Sequence, residues 1–146
     1  MNINFREAII EDKEVILNAN KEINILSGLN DSAFENNIDK DLFEDKICKS
    51  IVVERDNKLA GFIIYSYIYW ANCGRGIYLS QAYVKNEYRK QGILKMLLQE
   101  LEKREKECSF ITNLVGSENE VMMKSLSKLD FKSSDLITYY RKYGRE

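Results

Sequence analysis

From Val84 the sequence runs VKNEYRKQGILKMLLQEL, and within it Arg89, Lys90 and Lys95 flank a lone Gly92 where a strand-like pattern gives way to a leucine stripe. The first backbone N–H groups of a helix lack partners within the helix, and the aligned peptide dipoles place partial positive charge there. A loop of such groups backed by cations suits an anion, and a residue without a Cβ lets that anion approach the main chain. The chemistry implied is a phosphate or pyrophosphate cradle. The spacing matches neither GxxxxGK[ST] nor GxGxxG, so neither a Walker loop nor a dinucleotide fingerprint fits. A glycine at a strand-to-helix junction also serves an ordinary turn, and the segment by itself leaves both readings open.

Absences narrow the chemistry further. The 146 residues include no histidine, which excludes a Ser/His/Asp triad, a Cys/His dyad, phosphohistidine chemistry and the common zinc sites, so no metal is expected. Three cysteines, Cys48, Cys73 and Cys108, are odd in number and form no CxxC pair, which suits a reducing compartment better than a disulfide framework. Lys and Arg total 22 against 23 Asp and Glu, so the global cationic field that non-specific nucleic-acid binding needs is missing. The local cations Lys103, Arg104 and Lys106 alternate with Glu100, Glu102, Glu105 and Glu107, which cancels most of that patch. The N-terminus has neither a basic nor an apolar leader region, and no apolar run approaches a membrane span. The expectation is a cytoplasmic chain that contacts neither membrane nor nucleic acid.

These residues need elements to position them. Without proline, repeats or a Gly/Ser linker, nothing marks an interior boundary, and one domain over 1–146 is expected. Asn2 to Ala8 reads as a strand, and Asp12 as the cap of a helix carrying Val15, Ile16, Ala19, Ile23 and Leu26 at helical spacing. After a break at Leu26 to Asn30, a second helix follows Asp31 with Phe34, Ile38, Leu42 and Ile47 on one side. IVVERDNKLAGFIIYSYIYW reads as a hairpin turning at Asp56 and Asn57, whose second strand, Leu59 to Trp70, is apolar on both faces and so belongs inside a covered sheet. A strand over Gly76 to Val84, the helix with Leu94, Leu97, Leu98 and Leu101 in a stripe, a strand over Phe110 to Val115, a helix over Glu118 to Lys128 and a strand over Leu136 to Tyr143 complete the order. The fold class is α/β, one mixed sheet with helices on its faces.

YVKNEYRKQGILKMLL resembles the acetyl-CoA signature of the GCN5-related N-acetyltransferase (GNAT) superfamily, a strand ending in a hydrophobic-Val pair followed by R-x-x-G-x-G/A and a leucine-rich helix. Arg89 and Gly92 fall on the arginine and first glycine; Leu94 stands where glycine or alanine is usual. FREAIIEDKEVI is similar to the family's first strand and helix, LAGFIIYSYIYW to its central antiparallel strand, and NEVMMKSLSKLDF to its final helix. The resemblance covers essentially the whole chain in order and implies a mostly antiparallel, twisted sheet flanked by helices.

What it implies for function is transfer of an acetyl group from acetyl-CoA to a primary amine, by direct attack. The backbone of Ala82, Tyr83 and Val84 would hold the pantetheine arm, Arg89, Lys90, Gln91, Gly92, Ile93, Leu94 and Lys95 the pyrophosphate, and Asn119 with Met122 the cofactor's other side. Asn119 also reads as a residue satisfying its own helix start. Ser80 and Gln81 stand where polyamine acetyltransferases of the superfamily carry acids, and Leu126 where a general-acid tyrosine is usual, so neither acid nor base is assigned. Tyr78, Tyr83, Tyr139 and Tyr140 are substitutes for the acid, each more ordinarily a packing residue. An alkyl amine near pKa 10.4 is only about one part in 2,500 neutral at pH 7, against about one-tenth for an α-amine near pKa 8, so without a carboxylate base a weakly basic amine is expected. Glu22, Asp31 and Glu35, together with the turn around Trp70, are further acceptor candidates. The alternative reading is a GNAT-fold module that binds an acyl-CoA without turnover, as a sensor or interaction domain. A homodimer through an exposed edge strand is permitted by the pattern.

Overall fold

The computed structural model describes residues 2–27, 33–115, 119–136 and 139. Five strands form one sheet in the order of the chain: β1 (Ile3–Arg6), β2 (Lys49–Arg55), β3 (Lys58–Trp70), β4 (Gly74–Val84) and β5 (Ile111–Thr112). The first three pairings are antiparallel, and β5 joins β4 in parallel. Helices α1 (Lys13–Ser27) and α2 (Ala33–Ile38) precede β2, α3 (Ile93–Arg104) links β4 to β5, and α4 (Glu120–Lys128) follows.

Local chemistry explains several of these elements. Asp56 and Asn57 have φ of 51° and 66°, the paired positive values of a type I′ hairpin, which short polar side chains tolerate. Asp12 does not cap α1 as expected. It ends a short 3₁₀ turn, Ile10–Asp12, where its Oδ2 accepts the Ile9 N–H at 2.9 Å because Ile9, at the cap position, has no side-chain oxygen to offer. The same carboxylate accepts two hydrogen bonds from Arg6, at 2.7 and 3.1 Å, and so ties β1 to the start of α1.

The sheet separates two apolar layers. On one face Ile51, Val53, Ile63, Leu79 and Ala82 pack with Ile93, Leu97, Leu98 and Leu101 of α3. On the other, Val52, Phe62 and Ile64 meet Ile16 and Ala19 of α1, Ile38 of α2 and Leu42 of the wide π-helical turn Asp39–Glu44. Gly61 lets α3 lie close to the sheet, since a Cβ there would sit 2.6 Å from the Tyr83 carbonyl and 3.3 Å from Ile93.

Some expectations need correction. Ile47 is 65% exposed, because the π-helical turn ends the second helical segment before it can face the core. β3 is buried on both faces only through Tyr65; Tyr67, Tyr69 and Trp70 extend past the core, and Trp70 stacks on Phe110 at 4.5 Å. β4 starts two residues earlier than Gly76, and the strand expected over Phe110 to Val115 pairs only at Ile111 and Thr112. α1 continues to Ser27 through the start of the expected break; the rest of that break lies outside the described residues. At the C-terminus, Leu136 is irregular and exposed, and the expected strand beyond it falls almost wholly outside them.

Candidate functional site

The turn between β4 and α3 is built from backbone bonds. The Lys85 N–H bonds the Ala60 carbonyl, Tyr88 bonds Lys85, and Arg89 bonds Asn86, which winds Asn86–Tyr88 into a 3₁₀ turn. Lys90 (φ 62°) and Gly92 (φ 78°) then adopt left-handed conformations on either side of Gln91. Gly92 occupies the cap position of α3 with no side-chain cap, and no atom lies within 4 Å of where its Cβ would be. The helical bonding begins with the Met96 N–H to the Gly92 carbonyl at 3.0 Å, which leaves the preceding N–H groups of Ile93, Leu94 and Lys95 pointing out of the helix start. Lys90 and Lys95 are exposed at this mouth, whereas the Leu94 side chain packs into the core beneath α3. The open space over Gly92 and these unpaired donors fit a pyrophosphate, and Leu94, the departure from the motif, turns away from it.

Arg89 behaves differently from Lys90 and Lys95. Its Nε donates to the Val84 carbonyl at 2.8 Å and its Nη2 to Glu22 of α1 at 3.1 Å, while the guanidinium lies over the Tyr83 ring at 5.6 Å. Tyr83 donates its own hydroxyl to the other Glu22 oxygen at 3.1 Å. Burial, then this hydrogen bond, pushes the Tyr83 phenol up from its ordinary pKa. Glu22, expected as an acceptor-attracting charge, is thus the clasp joining α1 to the end of β4. Gln91 reaches the opposite way, its carbonyl accepting from Arg55 on the β2–β3 hairpin.

Along the half of β4 that leads into this loop, β4 and β5 part. They pair at Ile77 with Ile111 and Tyr78 with Thr112, after which Asn113 donates its side-chain N–H to the Leu79 carbonyl at 2.6 Å. Beyond that bond the strands bound a cleft lined by Ile23 of α1, Ser80, Gln81 and Ala82 of β4, Asn113 and Val115 after β5, and Asn119 and Met122 of α4. Asn119 satisfies its own helix start: its Oδ1 caps α4 by accepting from the Met122 N–H at 3.2 Å, and the residue also lines the cleft. No ionisable side chain lines it among the described residues.

A bulge sets which β4 residues face this cleft. Ile64 pairs with Gln81 but Tyr65 with Leu79, so Ser80 is the extra residue, and its hydroxyl donates to the Ile64 carbonyl at 3.0 Å. Leu79 and Ala82, three apart, therefore share the α3 face, while Gln81 and Tyr83 turn to α1. Gln81 is 7% exposed and donates Nε2 to Asn20 Oδ1 at 2.6 Å. Its Oε1 is buried and has no partner among the described residues.

Leu126 is 7% exposed, a packing residue of α4. Tyr78 has its pKa raised by burial alone, Tyr139 is 90% exposed, and Tyr140 lies outside the described residues. The turn around Trp70 lies six residues up β4 from Ser80, about 20 Å at strand spacing, too far for one small amine to touch both. Asn20, Ile23 and Asn113 were not anticipated; Ile23 was read as a core residue, and isolated asparagines give no periodic signal. A larger cavity of about 740 Å³ opens between the end of α3, Phe110 and Leu129–Lys132, and shares no lining residue with the cleft.

Comparison with known proteins adds the following. A model of the acetyltransferase (GNAT) family matches residues 16–131. No curated protein matches the chain. Among solved structures, a possible acetyltransferase from Clostridium difficile 630 is similar at TM-score 0.79 and 20% identity, covering 99% of this chain and 100% of that one. A predicted acetyltransferase with acetyl-CoA from Clostridium acetobutylicum is similar at TM-score 0.73 and 16% identity, over 96% of each chain. AAC(6')-Iy in complex with the bisubstrate analog CoA-S-monomethyl-acetylneamine is similar at TM-score 0.74 and 19% identity, covering 99% of this chain and 100% of that one. At these identities the similarity speaks for the fold.

Proposed function

The chain belongs to the acetyltransferase (GNAT) family, and from that premise we propose that it moves an acetyl group from acetyl-CoA to a primary amine of a small molecule or peptide by direct attack in a ternary complex. The observation that carries the reading is the combination of two features: a loop with Lys90 and Gly92 in left-handed conformations and open space over Gly92, and the parting of β5 from β4 along the half of the strand that leads into it. In this reading the N–H groups of Gln91 to Lys95 hold the pyrophosphate, with Lys90 and Lys95 as counter-charges. The backbone of Ala82, Tyr83 and Val84 holds the pantetheine arm along the unpaired edge of β4, and Asn119 and Met122 bound the opposite wall. Arg89, clasped to Val84 and Glu22, shapes the loop from beneath.

When bound, acetyl-CoA supplies an activated thioester carbonyl. The amine nitrogen would bond to that carbon as the C–S bond breaks, with the proton lost from nitrogen passing to solvent. Among the described residues the cleft has no carboxylate to serve as base and Leu126 is no acid, so the amine arrives neutral and the thiol departs largely as thiolate. That supports an amine of modest basicity over a polyamine.

The test is thermal unfolding with acetyl-CoA against ATP and NAD, followed by thiol release with an amine panel that includes α-amines, spermidine and aminoglycosides. At about 100 times its dissociation constant acetyl-CoA adds about 2.7 kcal/mol, a shift of roughly 5–11 °C for a domain of this size. No shift under saturation refutes the site, and spermidine outpacing every α-amine refutes the acceptor class. The uncharged cleft and the buried Leu126 favour one second reading, an acyl-CoA-binding module without turnover; a specific shift with no thiol release from any amine is its signature.

A further inference from the structure

We propose that the side-chain carbonyl of Gln81 receives an N–H of the acceptor amine, and that Asn20 is the positioning residue that holds it in that orientation; this rests on the reading of the cleft as an acetyl-transfer site. Two observations converge. Gln81 Oε1 is buried without a partner among the described residues, although its side chain is otherwise ordered by a short bond. Buried polar atoms are paired in the great majority of cases, and an exception beside a cleft marks a group reserved for something that enters. Gln81 also lines that cleft, together with its neighbours Ser80 and Ala82 and with Ile23 of α1.

The bulge at Ser80 accounts for the position. Were Ser80 paired in regular alternation instead of bulged, Gln81 would share the α3 face with Leu79 and be sealed in the apolar core. With the bulge, the carboxamide sits between β4 and α1, at the height where β4 loses its β5 partner. Asn20 then sets its direction. Its Oδ1 accepts Gln81 Nε2 at 2.6 Å, so the Gln81 nitrogen faces α1 and the oxygen is left for a donor.

A neutral carbonyl in an uncharged cleft also discriminates between forms of the amine. It accepts an N–H from a free amine while leaving the nitrogen lone pair for the thioester carbon. An ammonium would enter without a counter-charge, and burial without a counter-charge disfavours the charged form. Gln81 therefore selects acceptors that shed their proton readily and disfavours polycations, a specificity that a carboxylate at this position would reverse.

The experiment uses the full chain and one amine that the wild type acetylates. Gln81→Met should raise KM for that amine at least tenfold while leaving the acetyl-CoA thermal shift unchanged. Asn20→Leu should move KM in the same direction. Asn20→Asp, which can only accept and so forces the same Gln81 orientation, should retain wild-type KM within about threefold. Gln81→Glu should shift relative kcat/KM toward strongly basic amines and add an ionisation to its pH profile. An unchanged amine KM in Gln81→Met, or Asn20→Asp as impaired as Asn20→Leu, overturns the proposal. One readout is independent of turnover. The double variant Asn20→Leu/Gln81→Met should have a Tm equal to or above the wild type, because it removes an orphaned acceptor together with its tether; a lower Tm makes the pair merely structural. Failure of the underlying site reading looks different, as wild type whose Tm does not respond to acetyl-CoA.

Discussion

Gly92 carries the cofactor reading at the scale of a single residue, because two of its properties are required at once. Its φ of 78° is costly for an L side chain, and the space beyond its missing Cβ is open. Gly92→Ala should lose about 1 kcal/mol of stability, whereas Gly92→Glu should abolish the acetyl-CoA thermal shift by setting a carboxylate over the cradle. A folded Gly92→Glu protein with the wild-type shift would refute the site. Asp12 gives a prediction in pH. Burial pushes its carboxyl up, but the hydrogen bonds from Arg6 and the Ile9 N–H outweigh this and hold it below its ordinary value of 3.8. A lowered folded-state pKa contributes stability above the unfolded pKa and loses it as pH falls through the folded one. Asp12→Asn should therefore cost about 1–2 kcal/mol at pH 7, a difference that shrinks below about pH 4 as the wild type loses the same bonds; thermal melts at pH 7, 4 and 2.5 measure it. The role of Asp12 was not legible beforehand, since only the geometry of Arg6 and Ile9 turns an apparent cap into a buried tie.

Local chemistry made some elements readable and left others hidden. The hairpin at Asp56 and Asn57 follows from its own turn residues, and α3 from its leucine stripe. The bulge at Ser80 does not, because nothing in GIYLSQAYV distinguishes an extra residue from a regular alternation; the face of each side chain after Leu79 is decided by β3 across the ladder. The length of β5 is likewise set by β4 leaving it, not by the apolar run itself. So the candidate cradle loop was readable from a contiguous segment and Gln81 from the resemblance, while Asn20 and Asn113 come beside β4 only when α1, β4 and β5 converge. The close approach of α3 to the sheet is testable at this scale. Gly61→Ala should destabilise by about 1–3 kcal/mol, because the Tyr83 backbone it would strike cannot yield as a flexible side chain could. Urea unfolding reads the loss, and a wild-type midpoint would show that the β3–β4 ladder adapts.

Across the whole molecule the charges are divided rather than summed. The net charge is only −1, yet Lys90, Lys95 and Arg55 gather around the cradle loop while the neighbouring cleft is lined without charge among the described residues. Salt should therefore act on one substrate and spare the other. Raising ionic strength from about 0.05 to 0.5 M, which shortens the screening length from roughly 14 to 4 Å, should weaken acetyl-CoA binding several-fold and leave the KM of a neutral-binding amine nearly constant. Equal effects on both would mean that the acceptor also binds through charge.

The extra residue at Ser80 has a genetic corollary. Loss of that one codon, in frame, would remove the bulge and leave Gln81 and Ala82 on their present faces, because Leu79 would then be followed directly by Gln81 in regular alternation. In a regularly paired stretch the same loss would turn every residue beyond it to the other face of the sheet. Ser80 is therefore a position at which β4 changes length without exchanging the residues that face α1 and α3.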